Sequence, residues 1–181
     1  MIRIVTSLTR IFLAKITDWN VTNGGESGAT TIRWWTTDFP KFNYTNFIAA
    51  IIKLGQNGGL TDTLAADIIY AGTNTGAYCK IIEGMLAQNP NLKIFLVSIQ
   101  NASDTVTNGV IQQIAPKYNL PYLDISNNGI YTLTDSNYHT VLNGTSYGVH
   151  FNTIGYLTLA KVIYMMMMDW IENNWTKFKD F

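Results

Sequence analysis

Charge is scarce in this chain: Asp, Glu, Lys and Arg make up 13% of its 181 residues, about half the usual quarter. Twelve basic residues balance twelve acidic ones, so no basic stripe exists to attract phosphate backbones, and nucleic acid is excluded as an expected partner. Cysteine occurs once, at Cys79, which rules out an internal disulfide. Its setting, Tyr78-Cys79-Lys80-Ile81-Ile82, reads as the side of a helix carrying a buried, inert thiol. Two histidines without a Cys/His cluster give no metal-ligand set. No apolar run approaches the roughly 18 residues of a membrane span, so the chain reads as soluble. The first 17 residues carry Arg3, Arg10 and Lys15 without an acid. No small-residue cleavage site follows an apolar stretch, however, and the segment reads as strand plus helix rather than a targeting peptide. The compartment stays open.

Asparagine takes 18 positions and threonine is also abundant, so the surface is built largely from neutral polar groups. The length suits one domain, residues 1–181, with a single sizeable core. Short β-branched apolar runs alternate with longer helical patterns. That alternation predicts a three-layer α/β/α sandwich around a mostly parallel, five-stranded sheet. Strands are expected at Ile2–Val5, about Asn20–Asn23, Ala66–Ala71, Lys93–Ile99 and Pro121–Ile125. Helices are expected at Leu8–Ile16, around Phe47, Ile48, Ile51, Ile52 and Leu54 up to the stop at Asn57-Gly58-Gly59, at Ala77–Gln88, Val106–Tyr118, and Thr153 to Trp170 or beyond. The segment Ser126–Tyr147 is polar with no convincing period, and a loop of that length carries function or small elements of its own. The run Met165–Met168 reads as gap-filling core.

In a parallel α/β sheet, ligands bind beyond the carboxyl ends of the strands, where successive turns converge. The turns after the first three strands should therefore be neighbours. Ser7 follows the first. After the second comes Asn23-Gly24-Gly25-Glu26-Ser27-Gly28-Ala29-Thr30, whose glycines free backbone N–H groups to approach a ligand. After the third comes Gly72-Thr73-Asn74, whose amide can face a developing oxyanion. Gly148-Val149-His150-Phe151-Asn152 precedes the last helix, and His150 is the one good candidate for a general base.

These four blocks, in this order, resemble those of the SGNH hydrolases, the GDSL-type esterase and lipase family. The second is similar to that family's Asn-x-Gly-x-Ser-Gly-x-Thr, the third to an apolar strand followed by Gly-x-Asn. The last is similar to Gly-Val-His-Pro-Asn, continuing into Gly155-Tyr156 and Leu159-Ala160. The resemblance implies a flavodoxin-like fold and an ester hydrolase working without a cofactor. It implies Ser7 as nucleophile, His150 as general base, and an oxyanion hole from the N–H groups of Ser7 and Gly25 and the amide of Asn74. A carbohydrate O-acetyl ester fits the family's habits and the aromatic loop Arg33–Tyr44, in which Trp34 and Trp35, with Tyr147, are candidate substrate-binding residues.

The chain departs from the pattern in three places. Val5 and Thr6 stand where the first block usually has Gly-Asp, and Thr75 follows Asn74 where Asp is common. Tyr147 occupies the position of the Asp that supports the histidine. A phenol supplies no charge at neutral pH, which leaves Asp124, Asp135 or a backbone carbonyl as the expected support for His150. The alternative expectation is a catalytically silent SGNH-like module for binding or structure in a surface or viral assembly, compatible with a homo-oligomer or larger assembly. As structural alternatives, Ser7 serves as a helix N-cap, Asn74 caps a helix or bonds its own loop, and His139 is incidental.

Overall fold

The computed structural model describes residues 2–5, 19–61, 72–99, 105–126, 139–142 and 146–174. Five parallel strands, β1 (Ile2–Val5), β2 (Val21–Asn23), β3 (Ala49–Ile52), β4 (Lys93–Val97) and β5 (Tyr122–Leu123), form one sheet in the order β2-β1-β3-β4-β5. Its centre is dictated by two runs, AAII in β3 and KIFLV in β4. Side chains alternate across a strand, and here the alternation is explicit. Ala50, Ile52, Ile94 and Leu96 enter one buried cluster, while Ala49, Ile51, Phe95 and Val97 enter another on the opposite face. Strands buried on both faces read as continuous apolar runs, which is why both look alike in sequence.

The first face is covered by α2 (Asn74–Gln88) and α3 (Thr105–Lys117), with the short α1 (Thr31–Arg33) and the π-helical and 3₁₀ turns that continue it through Trp34–Asp38 and Phe39–Lys41. The second is covered by α4 (Thr153–Asn173), which lays Leu159, Ile163, Met167 and Ile171 onto the sheet. By length and composition alone, α4 is also the one helix among the described residues apolar enough to cross a membrane. Here its inward stripe is core. A small antiparallel pair, β6 (His139–Leu142) with β7 (Ser146–Phe151), precedes α4.

Local signals set the helix ends. Thr73 caps α2 by accepting the Gly76 N–H at 3.0 Å, and Asn152 caps α4 by accepting the Gly155 N–H at 3.0 Å, each such cap being worth about 1 kcal/mol. At the end of α3, Asn119 adopts φ 53°. The Asn119 N–H donates to Pro116 O and the Leu120 N–H to Ala115 O, which together make a Schellman stop.

One expectation is corrected. Phe47–Leu54 is not a helix: Ala49–Ile52 is the central strand β3. Its spacing fits period 3.6, but a run of four apolar residues fits a strand buried on both faces equally well. The segment Ser126–Tyr147 carries small elements of its own, as its length led to expect: β6 and the start of β7. The last two expected strands are shorter than read, and α2 begins three residues earlier, where Thr73 can cap it. The expected helix Leu8–Ile16 and strand Ala66–Ala71 lie outside the described residues.

Candidate active site

The chain leaves β1 outward to β2 and returns on the other side to β3, so the strand order reverses between β1 and β3. Ligands of doubly wound sheets sit in the crevice beyond the carboxyl ends at such a reversal. Two described segments meet at that edge, the glycine block after β2 and residues 53–61 after β3.

Asn74 ties the two together. As the first residue of α2 it directs its side chain outward, where Oδ1 accepts the Ile32 N–H at 3.2 Å and Nδ2 donates to Gly58 O at 3.1 Å. One amide thus joins the helix after the glycine block to the loop after β3. Gly58, at φ +76°, has to be glycine, because a Cβ would lie 2.7 Å from Asn74 Nδ2. Asn57 Nδ2 adds a long contact of 3.5 Å to Ala29 O across the same junction.

Within the glycine block, the Gly25 N–H donates to Asn23 Oδ1 at 3.0 Å, a local Asx turn. Gly28 takes φ +69° with open space where a Cβ would be. Beneath, Trp34 is fully buried and its indole N–H donates to Gly24 O at 2.7 Å. The aromatic loop supports the block from below.

Lys53 is the first residue past β3. It is half-buried, and desolvation lowers its amine to about 8. At the far end of the edge, Asp124 follows β5. Its Oδ1 accepts from Ser98 Oγ at 3.2 Å, from the Ser126 N–H at 3.0 Å and from Ser126 Oγ. Tyr122 next to it is raised to about 12 by burial and then by the Asp124 charge.

Neither a protein-family profile nor a curated protein sequence matches the chain. Solved structures do. A possible lipase from Chitinophaga pinensis superposes with TM-score 0.69 at 15% identity, over 93% of this chain and 97% of that one. An acetyl xylan esterase gives 0.64 at 14%, over 91% and 98%. A phospholipase A1 from Streptomyces albidoflavus gives 0.62 at 15%, over 91% and 97%. The chain has the SGNH hydrolase fold.

Against that fold, the anticipated residues fall into three groups. Asn74 and Gly25 stand at the carboxyl edge, on neighbouring loops, with the hydrogen bonds just described. His150 and Tyr147 lie on β7, leading into the Asn152 cap of α4, and His139 lies on β6. Ser7, with Thr6, lies outside the described residues, two positions past the end of β1, as does Asp135.

One candidate is corrected outright. Trp34 has no exposed surface and therefore offers no face for a sugar to stack on. Its ring packs edge-on to Phe39 at 6.1 Å. Trp35 is half-buried and tilted against Phe39 at 4.8 Å. Asp124, just past β5, has its Oδ1 engaged by Ser98 and Ser126. Sequence reading missed Lys53, because a helix over Phe47–Leu54 makes it an ordinary solvated lysine. The signal was there: a single cation ending a wholly apolar strand.

Proposed function

We propose that this chain is an SGNH-type serine hydrolase that cleaves an ester, with a carbohydrate O-acetyl ester as the substrate class. The observation that carries the reading is the Asn74 bridge, which brings the asparagine block against the glycine block at the edge where the strand order reverses. An acetyl xylan esterase among the similar folds agrees in substrate class.

In this reading Ser7 Oγ attacks the ester carbonyl and His150 accepts its proton. The tetrahedral oxyanion takes hydrogen bonds from the Ser7 N–H, the Gly25 N–H and the second hydrogen of Asn74 Nδ2. The alcohol leaves with the proton from His150, and water, activated by the same imidazole, releases the acid and restores Ser7. Gly25 has to leave Asn23 Oδ1 to take part. With Tyr147 where a carboxylate would support His150, turnover is expected to be slow, since losing that carboxylate costs roughly 10⁴-fold in the Ser-His-Asp template.

A fluorophosphonate probe and a short-chain aryl ester test this directly. Wild-type protein should be labelled and should turn over the ester, and Ser7→Ala should do neither. Asn74→Ala should lower kcat by about 10²–10³-fold, the worth of one oxyanion donor. Absence of labelling in folded wild-type protein overturns the reading. It would leave the second one, a silent SGNH-fold binding module, which the engagement of both Gly25 N–H and Asn74 by partners within the chain favours.

A further inference from the structure

The position of Lys53 is the least expected feature of the carboxyl edge. Ile52, the residue before it, is in register with Val5 of β1 on one side and with Leu96 of β4 on the other. Lys53 therefore stands at the middle of the sheet, beside the strand that leads to Ser7. It is next in the alternation that sends Ala49 and Ile51 to the α4 face.

A half-buried ammonium is costly unless something negative meets it. The acids of the described residues are committed elsewhere. Glu26 pairs with Arg33 at 3.5 Å, Asp38 with Lys41 at 2.6 Å and Glu83 with Lys80 at 2.8 Å. Asp124 is held by Ser98 and Ser126, and Asp169 and Glu172 belong to the last turns of α4. Among the described residues, then, no acid pairs with Lys53.

We propose that Lys53 is a cationic subsite at the carboxyl edge and that the ester bound there carries a negative charge, a carboxylate near the scissile group. The inference rests on the hydrolase reading for the word ester, but not for the anion. A carboxylate next to the ammonium supplies the counter-charge that the described residues do not, and the burial that makes the amine costly strengthens the pair once formed. An O-acyl ester of a uronic acid whose carboxylate is free, or a monoester of a dicarboxylic acid, has this chemistry. A neutral alkyl ester does not.

Amide chemical shifts of Ile52–Leu54 followed by NMR, with monomethyl succinate and methyl butyrate as matched probes, test the subsite without requiring turnover. At pH 7 the succinate monoanion should bind at least about tenfold more tightly, a difference equivalent to about 1.4 kcal/mol. Lys53→Met should abolish the preference and Lys53→Arg should keep it. At pH 9.5 wild-type protein should have lost most of it, whereas Lys53→Arg, still charged, should not. Should Lys53→Met fail to fold, the two pH values in wild-type protein still decide. Equal binding of the two probes, binding of neither, or a preference that survives in Lys53→Met overturns the subsite. Ser7→Ala should retain the preference. An anion preference without any ester turnover would refute the hydrolase reading and leave the subsite standing, and turnover without a preference would do the reverse.

Discussion

The two faces of the sheet are filled with different materials. On the α2 and α3 face, Trp34, Phe39, Tyr44 and Phe47 form an aromatic chain in which successive rings touch, Trp34 meeting Phe39 at 6.1 Å, Phe39 stacking on Tyr44 at 5.2 Å and Tyr44 meeting Phe47 at 5.9 Å. On the α4 face rings meet only in separate pairs, Phe95 with Trp170 at 5.4 Å and Phe151 with Tyr156 at 5.7 Å, and methionines fill in beside them. Met167 is buried, Met166 and Met168 are partly so, and Met165 is two-thirds exposed. Flat rings have few ways to pack, whereas a methionine has three rotatable bonds and fills irregular gaps. The rigid face is also the one that supports the site: Trp34 holds Gly24 from beneath, and α2 presents Asn74.

Three substitutions would break or sharpen that contrast. Trp34→Ala should have the largest effect, about 3–5 kcal/mol lost to the cavity and the freed Gly24 carbonyl, read as a lower midpoint in urea. Its second consequence would be local, with the glycine block exchanging its amide hydrogens faster. Gly84→Ala comes next. A Cβ there would stand 2.6 Å from Phe39 Cζ and 3.2 Å from Trp35 Cζ3, and Phe39 is itself stacked, so an overpacking cost of about 1–3 kcal/mol is expected. On the other face, Met167→Leu should cost less than about 1.5 kcal/mol although the residue is equally buried. A loss as large as that of Trp34→Ala would show that the two faces do not differ in rigidity.

How much was legible in the sequence follows from the kind of signal each element carries. Strands β1, β2 and β4 and helices α2, α3 and α4 announce themselves through period and flanking polar residues, and their caps are single side chains, such as Asn152, that act on their own neighbours. β3 does not, because AAII is apolar on every side and period alone cannot distinguish a buried strand from a buried helix. That one misreading concealed two others: the central place of the strand, and with it the location of Lys53. β6 and β7 were unreadable for another reason. Their pairing is made with each other, and a polar strand has no apolar alternation to reveal its partner. The glycine block was readable as the turn after β2, but the asparagine block was read after a strand Ala66–Ala71 that lies outside the described residues, and the central strand β3 is followed by a Gly-x-Asn of its own, Gly55-Gln56-Asn57. That Trp34 is a buried support was not readable, since exposure is decided by α2, which lies more than 30 residues downstream.

The bridge at Asn74 has a bearing on how such chains are to be judged. The same amide that the hydrolase reading assigns to the oxyanion also fastens two loops, to Ile32 and to Gly58. A descendant that had abandoned chemistry would still be held to asparagine at this position, because its loss would undo the junction. Asn74 therefore testifies to the junction it holds before it testifies to any chemistry.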